Sequence, residues 1–216
     1  MNRYLACGTI LLALLLLAVP ARAQQDQTAV IGLGFGIHTF AQQDDIRKYQ
    51  EQVLLISPSA AGMLELYGEW YPMQRLGFGL RFLTLGYEEK AIFLGGVTFT
   101  STVSIDSTLL TVTFVPFISG DGYVRFGILG GAGGSKYNYK ESLELAPVKF
   151  EGSWDTSGTA VLGGAYLDWG GEAFGARFGV HVLRTDFDPL LIQGQPPLNV
   201  DGDGSAWYFD LRWAFD

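Results

Sequence analysis

The sequence predicts an all-β fold, a closed antiparallel up-and-down transmembrane barrel of eight strands, with ten strands as the alternative. Three observations predict it. Segments alternating apolar and polar residues with period two recur along the chain, the connections between them are alternately long and short, and the polar faces carry acids and bases in equal number.

The first element is a leader and not a strand. Arg3 supplies a short basic start, Ile10 to Val19 is almost wholly apolar, and Ala21-Arg22-Ala23 offers a small-residue cleavage site. Residues 1–23 therefore read as a secretory signal peptide and 24–216 as one barrel domain, because the apolar run is about half the ~20 residues that span a bilayer as a helix. Cys7, the one cysteine, precedes the apolar run and leaves with the leader. That excludes disulfides, thiol nucleophiles and thiolate metal sites from the mature chain.

Thr28 to Phe40 sets Ile31, Leu33, Phe35 and Ile37 against Gly32, Gly34, Gly36 and His38. Ala61 to Tyr71 sets Leu64, Leu66 and Trp70 against Glu65, Tyr67 and Glu69. In Arg75 to Tyr87, Leu76, Phe78, Leu80 and Phe82 oppose Gly77, Gly79 and Arg81. Thr108 to Ile118 is the most blurred strand, since Val115 and Phe117 break the alternation and Pro116 removes a ladder donor. Tyr123 to Gly133 sets Val124, Phe126 and Ile128 against Arg125 and Gly127. Thr159 to Trp169 sets Val161, Leu167 and Trp169 against Tyr166 and Asp168. Phe174 to Thr185 sets Phe174, Phe178 and Val182 against Arg177 and His181. Ala206 to Phe215 alternates without a miss, Trp207, Phe209, Leu211, Trp213 and Phe215 against Tyr208, Asp210 and Arg212.

Long connections at 41–60, 88–107, 134–158 and 186–205 take turns with short ones at 72–74, 119–122 and 170–171. Membrane barrels join strands by short turns on one side and long loops on the other, which puts both chain ends on the short-turn side. The polar faces carry Glu65, Glu69, Asp168 and Asp210 against Arg81, Arg125, Arg177 and Arg212. In a water-facing sheet such charges need no balance, whereas in a dry lumen pairing is close to obligatory. These eight residues and His181 are the expected lumen network. With Met73 central to its turn, Glu65 is expected opposite Arg81 as an ion pair, and Gly170-Gly171 permits a two-residue hairpin turn. Trp70, Tyr71, Trp169, Trp213 and Phe215, near the turn-side strand ends, are the expected aromatic girdle.

The chain is similar to the small eight-stranded outer-membrane barrels, such as the transmembrane domain of outer membrane protein A. The resemblance rests on the strand and loop plan and on the terminal run Trp207-Tyr208-Phe209-Asp210-Leu211-Arg212-Trp213-Ala214-Phe215. It implies the outer membrane of a Gram-negative bacterium, periplasmic termini, contact with lipid and lipopolysaccharide, and handling by the barrel assembly machinery during biogenesis. Asp216 follows the terminal aromatic, where members of that family commonly end on the aromatic itself.

Removing Arg3 and Arg22 from the 14 basic residues leaves 12 against 22 acidic, a net charge of about −10, so nucleic acid is excluded as a partner. No cofactor is expected, and a monomer is. His38 stands near Thr39, Asp44 and Asp45, where a rim acid/base site is conceivable, but Phe40 and Leu183 stand where a lipid A deacylase has serine two residues after its histidine. Asn199, Asp201 and Asp203 around Gly204 have the spacing of a calcium loop, although Asp210 at its closing position lies on a strand. Apolar stretches within the long connections, such as Ala91 to Phe99, point to something that covers them. Three roles follow in order: a plugged structural or surface-interaction barrel, a binding or passage protein for small hydrophobic molecules at the mouth, and a lipopolysaccharide-modifying enzyme.

Overall fold

The computed structural model describes residues 28–54, 59–93, 96–120, 122–171 and 173–215, so the predicted signal peptide lies outside the described residues. Eight strands, β1 (Thr28–Phe40), β2 (Ala60–Met73), β3 (Leu76–Ile92), β4 (Thr98–Ile118), β5 (Val124–Leu145), β6 (Val148–Gly170), β7 (Phe174–Phe187) and β8 (Gly204–Phe215), pair antiparallel with their neighbours, and β8 closes onto β1. The barrel is eight-stranded. Within the stretch 91–106, the described residues 91–92 and 98–106 add no new strands; they lengthen β3 and β4.

Burial follows the pleat. On β1, Phe35 and Ile37 are each 62% exposed while His38 is fully buried. Ile31, Leu33, Leu64, Leu66, Phe78, Leu80, Phe82, Phe126, Leu167, Phe178, Val182 and Leu211 extend one apolar belt around the outside, a surface that water does not reward and hydrocarbon does. No helix among the described residues is long and apolar enough to cross a membrane.

The blurred pattern of β4 has a local cause. Its register on β5 shifts between Phe114 and Phe117, around Pro116, so Val115 is 2% exposed and Phe117, of the same parity, is 55% exposed. A bulge tolerates the missing donor and reverses the phase.

Two expected turns differ from prediction. β2 and β3 pair Met73 with Leu76, leaving Gln74-Arg75 as the turn, and a shift between Trp70 and Met73 sets Glu65 opposite Leu83 and Tyr67 opposite Arg81. At the next short hairpin but one, Gly170 remains paired with Gly175 and takes a positive φ of 138°, so the loop is longer than the two residues expected.

The described residues of the long connections include regular structure. β2 ends its pairing on β3 at Gly62 and Gly86, and β7 ends its pairing on β6 at Gly158 and Phe187. Beyond these points β3, β4, β5 and β6 continue as a four-stranded blade; at about 3.3 Å per residue, Gly86 to Ile92 carries it roughly 20 Å past the β2 edge.

Residues 41–60, expected as a loop, contain helix α1 (Asp45–Leu54). Asp44 caps it, accepting the Arg47 amide on Oδ1 at 2.7 Å. Ile46, Arg47 and Gln50 are buried, and Ile46 packs on an apolar layer that includes Leu83, Leu85, Val103, Ile105, Leu162 and Leu183. The barrel mouth thus carries a lid over a hydrophobic layer, with the charged layer beneath it.

Candidate functional site: the charged lumen and the mouth above it

Glu69 is the hub of the charged layer. Arg177 donates to both of its oxygens, Nη1 to Oε1 at 3.3 Å and Nη2 to Oε2 at 3.0 Å. Arg81 reaches Oε1 at 3.4 Å, Thr113 Oγ1 donates to Oε1 at 3.2 Å, and Tyr71 Oη donates to Oε2 at 2.8 Å. This fork geometry is the strong form of a carboxylate–guanidinium contact. Arg81 Nη1 also donates to Glu65 Oε1, so the pair joins diagonal neighbours and not opposite ones. Asp168 accepts from Arg212 Nε and lies 3.6 Å from Arg177.

Aromatic faces complete the seats of the cations. The Arg177 guanidinium lies 3.9 Å from the Tyr166 ring centre and 4.8 Å from that of Tyr67, and Arg81 lies 4.7 Å from Tyr67.

The structure thus gathers Glu65, Glu69, Arg81, Asp168, Arg177 and Arg212, and three expected members stand apart. Arg125 is half-buried opposite Asp168 with its Nε unpartnered among the described residues. Asp210 is fully buried, and neither carboxylate oxygen has a hydrogen-bond partner among the described residues. His181 stacks on Tyr208, ring centres 5.3 Å apart.

Tyr71 corrects the expected girdle. It is buried and bonded to Glu69, whereas Trp70, Trp169, Trp213 and Phe215 face outward. Its place was readable from parity with Glu65, Tyr67 and Glu69. Tyr67, Tyr166 and Thr113 join the network beyond the charged residues expected, because nothing in a single strand shows which rings a distant arginine will use.

His38 is buried in the wall, its ring 5.0 Å from that of Phe40. It does not form the exposed rim site considered from sequence. The loop at 199–203 turns its oxygens on the protein itself. Asp203 Oδ1 accepts from the Thr185 amide at 2.6 Å, and Asp201 Oδ1 accepts from the Asp203 amide at 2.6 Å. The Asn199 amide donates to Asp45 Oδ2 at 2.9 Å. Asp210, the spacing's closing ligand, is in the lumen.

α1 is fastened from three sides. Asp44 Oδ2 accepts from Tyr137 Oη at 3.3 Å and from the Asp201 amide at 3.2 Å. Arg47 donates to the carbonyls of Asp201 and Gln42 and lies 4.1 Å over the Phe40 ring. Gln50 donates to Ser101 Oγ at 2.7 Å and accepts from Tyr87 Oη at 3.1 Å. Burial holds the Asp44 carboxyl above its ordinary range, and the Asn199 amide draws that of Asp45 below it.

No protein-family model and no curated protein matches the chain. Among solved structures, the chain is similar to the outer membrane protein OprG from Pseudomonas aeruginosa, at 12% identity and TM-score 0.52 over 88% of this chain and 97% of that one. It is similar also to Ail, the attachment invasion locus protein of Yersinia pestis, in complex with the heparin analogue sucrose octasulfate, at 13% identity and TM-score 0.51 over 88% of this chain and 100% of that one. At such identities the likeness is one of fold, that of the small eight-stranded outer-membrane barrels.

Proposed function

We propose that this chain, with the fold of the small outer-membrane barrels, is a closed anchor in the outer membrane that presents its blade and lid to the exterior, a surface-interaction protein and not a pore. The carrying observation is the lumen. At the level of Glu69 it is crossed by Arg81 and Arg177 bonded to one carboxylate, with tyrosine rings filling the remaining space, and α1 covers the apolar layer above. Eight strands enclose little more than such side chains. The outer belt meets hydrocarbon and, where it ends, the glycolipid of the outer leaflet.

The ligand seen with Ail does not carry over. Above the belt, carboxylates such as Glu88, Glu89, Asp106, Glu141, Glu144, Glu151 and Asp155 outnumber Lys90, Lys136, Lys140 and Lys149, which disfavours a sulfated polyanion. A lipid-modifying enzyme is also disfavoured, since both histidines are buried.

The test uses cysteine-free mature protein carrying Val148→Cys at the blade tip or Gly120→Cys in a short turn. A membrane-impermeant maleimide on intact cells labels the first, and labels the second only after permeabilisation. Planar bilayers holding the purified protein stay closed to small ions. Labelling of the turn cysteine on intact cells, or steady open-channel conductance, overturns the reading.

A further inference from the structure

The blade's inner wall is ordered in rows. Continuing inward from the tip, register places Ala91, Phe99, Leu143 and Phe150 side by side, then Glu89, Ser101, Glu141 and Gly152, then Tyr87, Val103, Tyr139 and Trp154. All three rows have the parity of the barrel interior, since Leu85, Ile105 and Tyr137 below them are buried. An apolar row, an acidic row and an aromatic row thus follow one another from the tip, and α1 abuts the last two, its Gln50 bonded to Ser101 and Tyr87.

The two faces of this sheet differ in charge. Lys90, Lys140 and Lys149 have outward parity and mix there with Glu88, Glu144 and Glu151, while Glu89 and Glu141 have inward parity. No blade lysine among the described residues shares the inner face with these carboxylates. The apolar row is unfinished by folding on its β5–β6 side: Phe99 is buried, but Leu143 is partly exposed and Phe150 is 64% exposed. The aromatic row is preformed, with Tyr139 and Trp154 stacked at 5.8 Å, and the Trp154 indole leans across Gly152 so that a Cβ there would fall within its ring. Tyr139 Oη donates to Glu141 Oε1; burial and this contact hold the hydroxyl above its ordinary range, so it remains a neutral donor that orients the carboxylate.

We propose that this wall binds a lipophilic cation, an apolar molecule with one positive charge, which Glu89 and Glu141 face, Trp154 flanks, and Leu143 and Phe150 receive by its apolar body. Apolar surface alone would accept any hydrophobic molecule. Two carboxylates between apolar and aromatic rows select by sign, and a ring face adds attraction for a weakly hydrated cation. The inference deepens the surface-interaction reading and rests on the blade facing the exterior.

Tetraphenylphosphonium and tetraphenylborate, near-equal in size and opposite in charge, separate the possibilities. The full-length protein in nanodiscs of zwitterionic phospholipid is dialysed against each, with empty nanodiscs as the partition baseline. Saturable phosphonium binding above that baseline is expected, at least tenfold tighter than borate. Glu89→Gln with Glu141→Gln weakens phosphonium at least tenfold while the unboiled protein keeps its gel shift, and Trp154→Leu, remote from the lumen, weakens it as an independent variant. Equal binding of the two ions, unchanged binding by the glutamine variant, or no saturable binding overturns the inference. External labelling at Val148→Cys without phosphonium binding overturns this inference alone; phosphonium binding by a blade that is not labelled from outside overturns only the membrane topology.

Discussion

The ring of Tyr67 on β2 lies across Gly32, its register partner on β1, so closely that a Cβ at Gly32 would fall within the phenol. The arrangement repeats with Tyr166 over Gly127 and Tyr208 over Gly179. Inward glycines are therefore seats for inward tyrosines, and the Tyr67 ring in turn seats Arg81 and Arg177. Gly32→Val is expected to destabilise by about 1–3 kcal/mol through overpacking, read from the urea midpoint of the heat-shifted form in phospholipid vesicles. Adding Tyr67→Ala should return part of the loss if the clash is the cause. An unchanged midpoint for Gly32→Val refutes the packing argument.

Removing one partner from the charged layer leaves the other uncompensated in a dry lumen. Glu69→Ala takes both acceptor oxygens from the Arg177 fork and leaves it only Asp168 at 3.6 Å, and a cost of about 3–5 kcal/mol is expected. Arg81→Ala strands Glu65. A double-mutant cycle on Glu65 and Arg81 should give a coupling of about 1–3 kcal/mol; a coupling near zero means that water already solvates both groups.

Period-two patterning made the eight strands and their closure legible, because one face of every strand had to meet a different solvent from the other. Parity also placed Glu65, Glu69, Arg81, Asp168, Arg177, Asp210 and Arg212 inside. What it could not give was pairing across the lumen. The Glu65–Arg81 contact forms although the bulge near Tyr71 moved the register, because a long arginine spans a diagonal neighbour as readily as an opposite one. α1 was hidden for a different reason. Asp45 to Leu54 mixes polar residues with little apolar periodicity, and what holds it in place is tertiary: buried Arg47 and Gln50 bonded to groups far away in sequence.

Arg47 is the fastening whose loss should open the lid and nothing else. It contacts the 41–44 turn, the 199–203 loop and the Phe40 ring together, and its removal leaves the Asp44 carboxylate buried without its cation. Arg47→Ala is expected to lower the opening free energy of α1 by about 2–4 kcal/mol, seen as faster amide exchange over 46–52 while the strand amides keep their protection. Loss of protection in β1 and β2 to the same degree would show that lid and barrel open as one unit.

The two aspartates at the start of α1 give the lid a two-sided response to acid. Asp44 has a raised folded-state pKa, so its folded form holds a proton better than the unfolded chain does, and the stability it contributes declines as pH rises through that value. Asp45 is the reverse: held low by the Asn199 amide, with Lys48 3.3 Å away, it contributes stability above the ordinary aspartate value of about 3.9 that is lost as pH falls through its folded value. Protection factors of the α1 amides should therefore hold or rise between pH 7 and 5 and fall below about pH 4. Asp45→Asn keeps a side-chain oxygen as acceptor without the titration, and should remove the acid-side fall while leaving the upper range unaltered. A steady loss of protection from pH 7 downward, in the native chain and in Asp45→Asn alike, would place the controlling group elsewhere than in this pair.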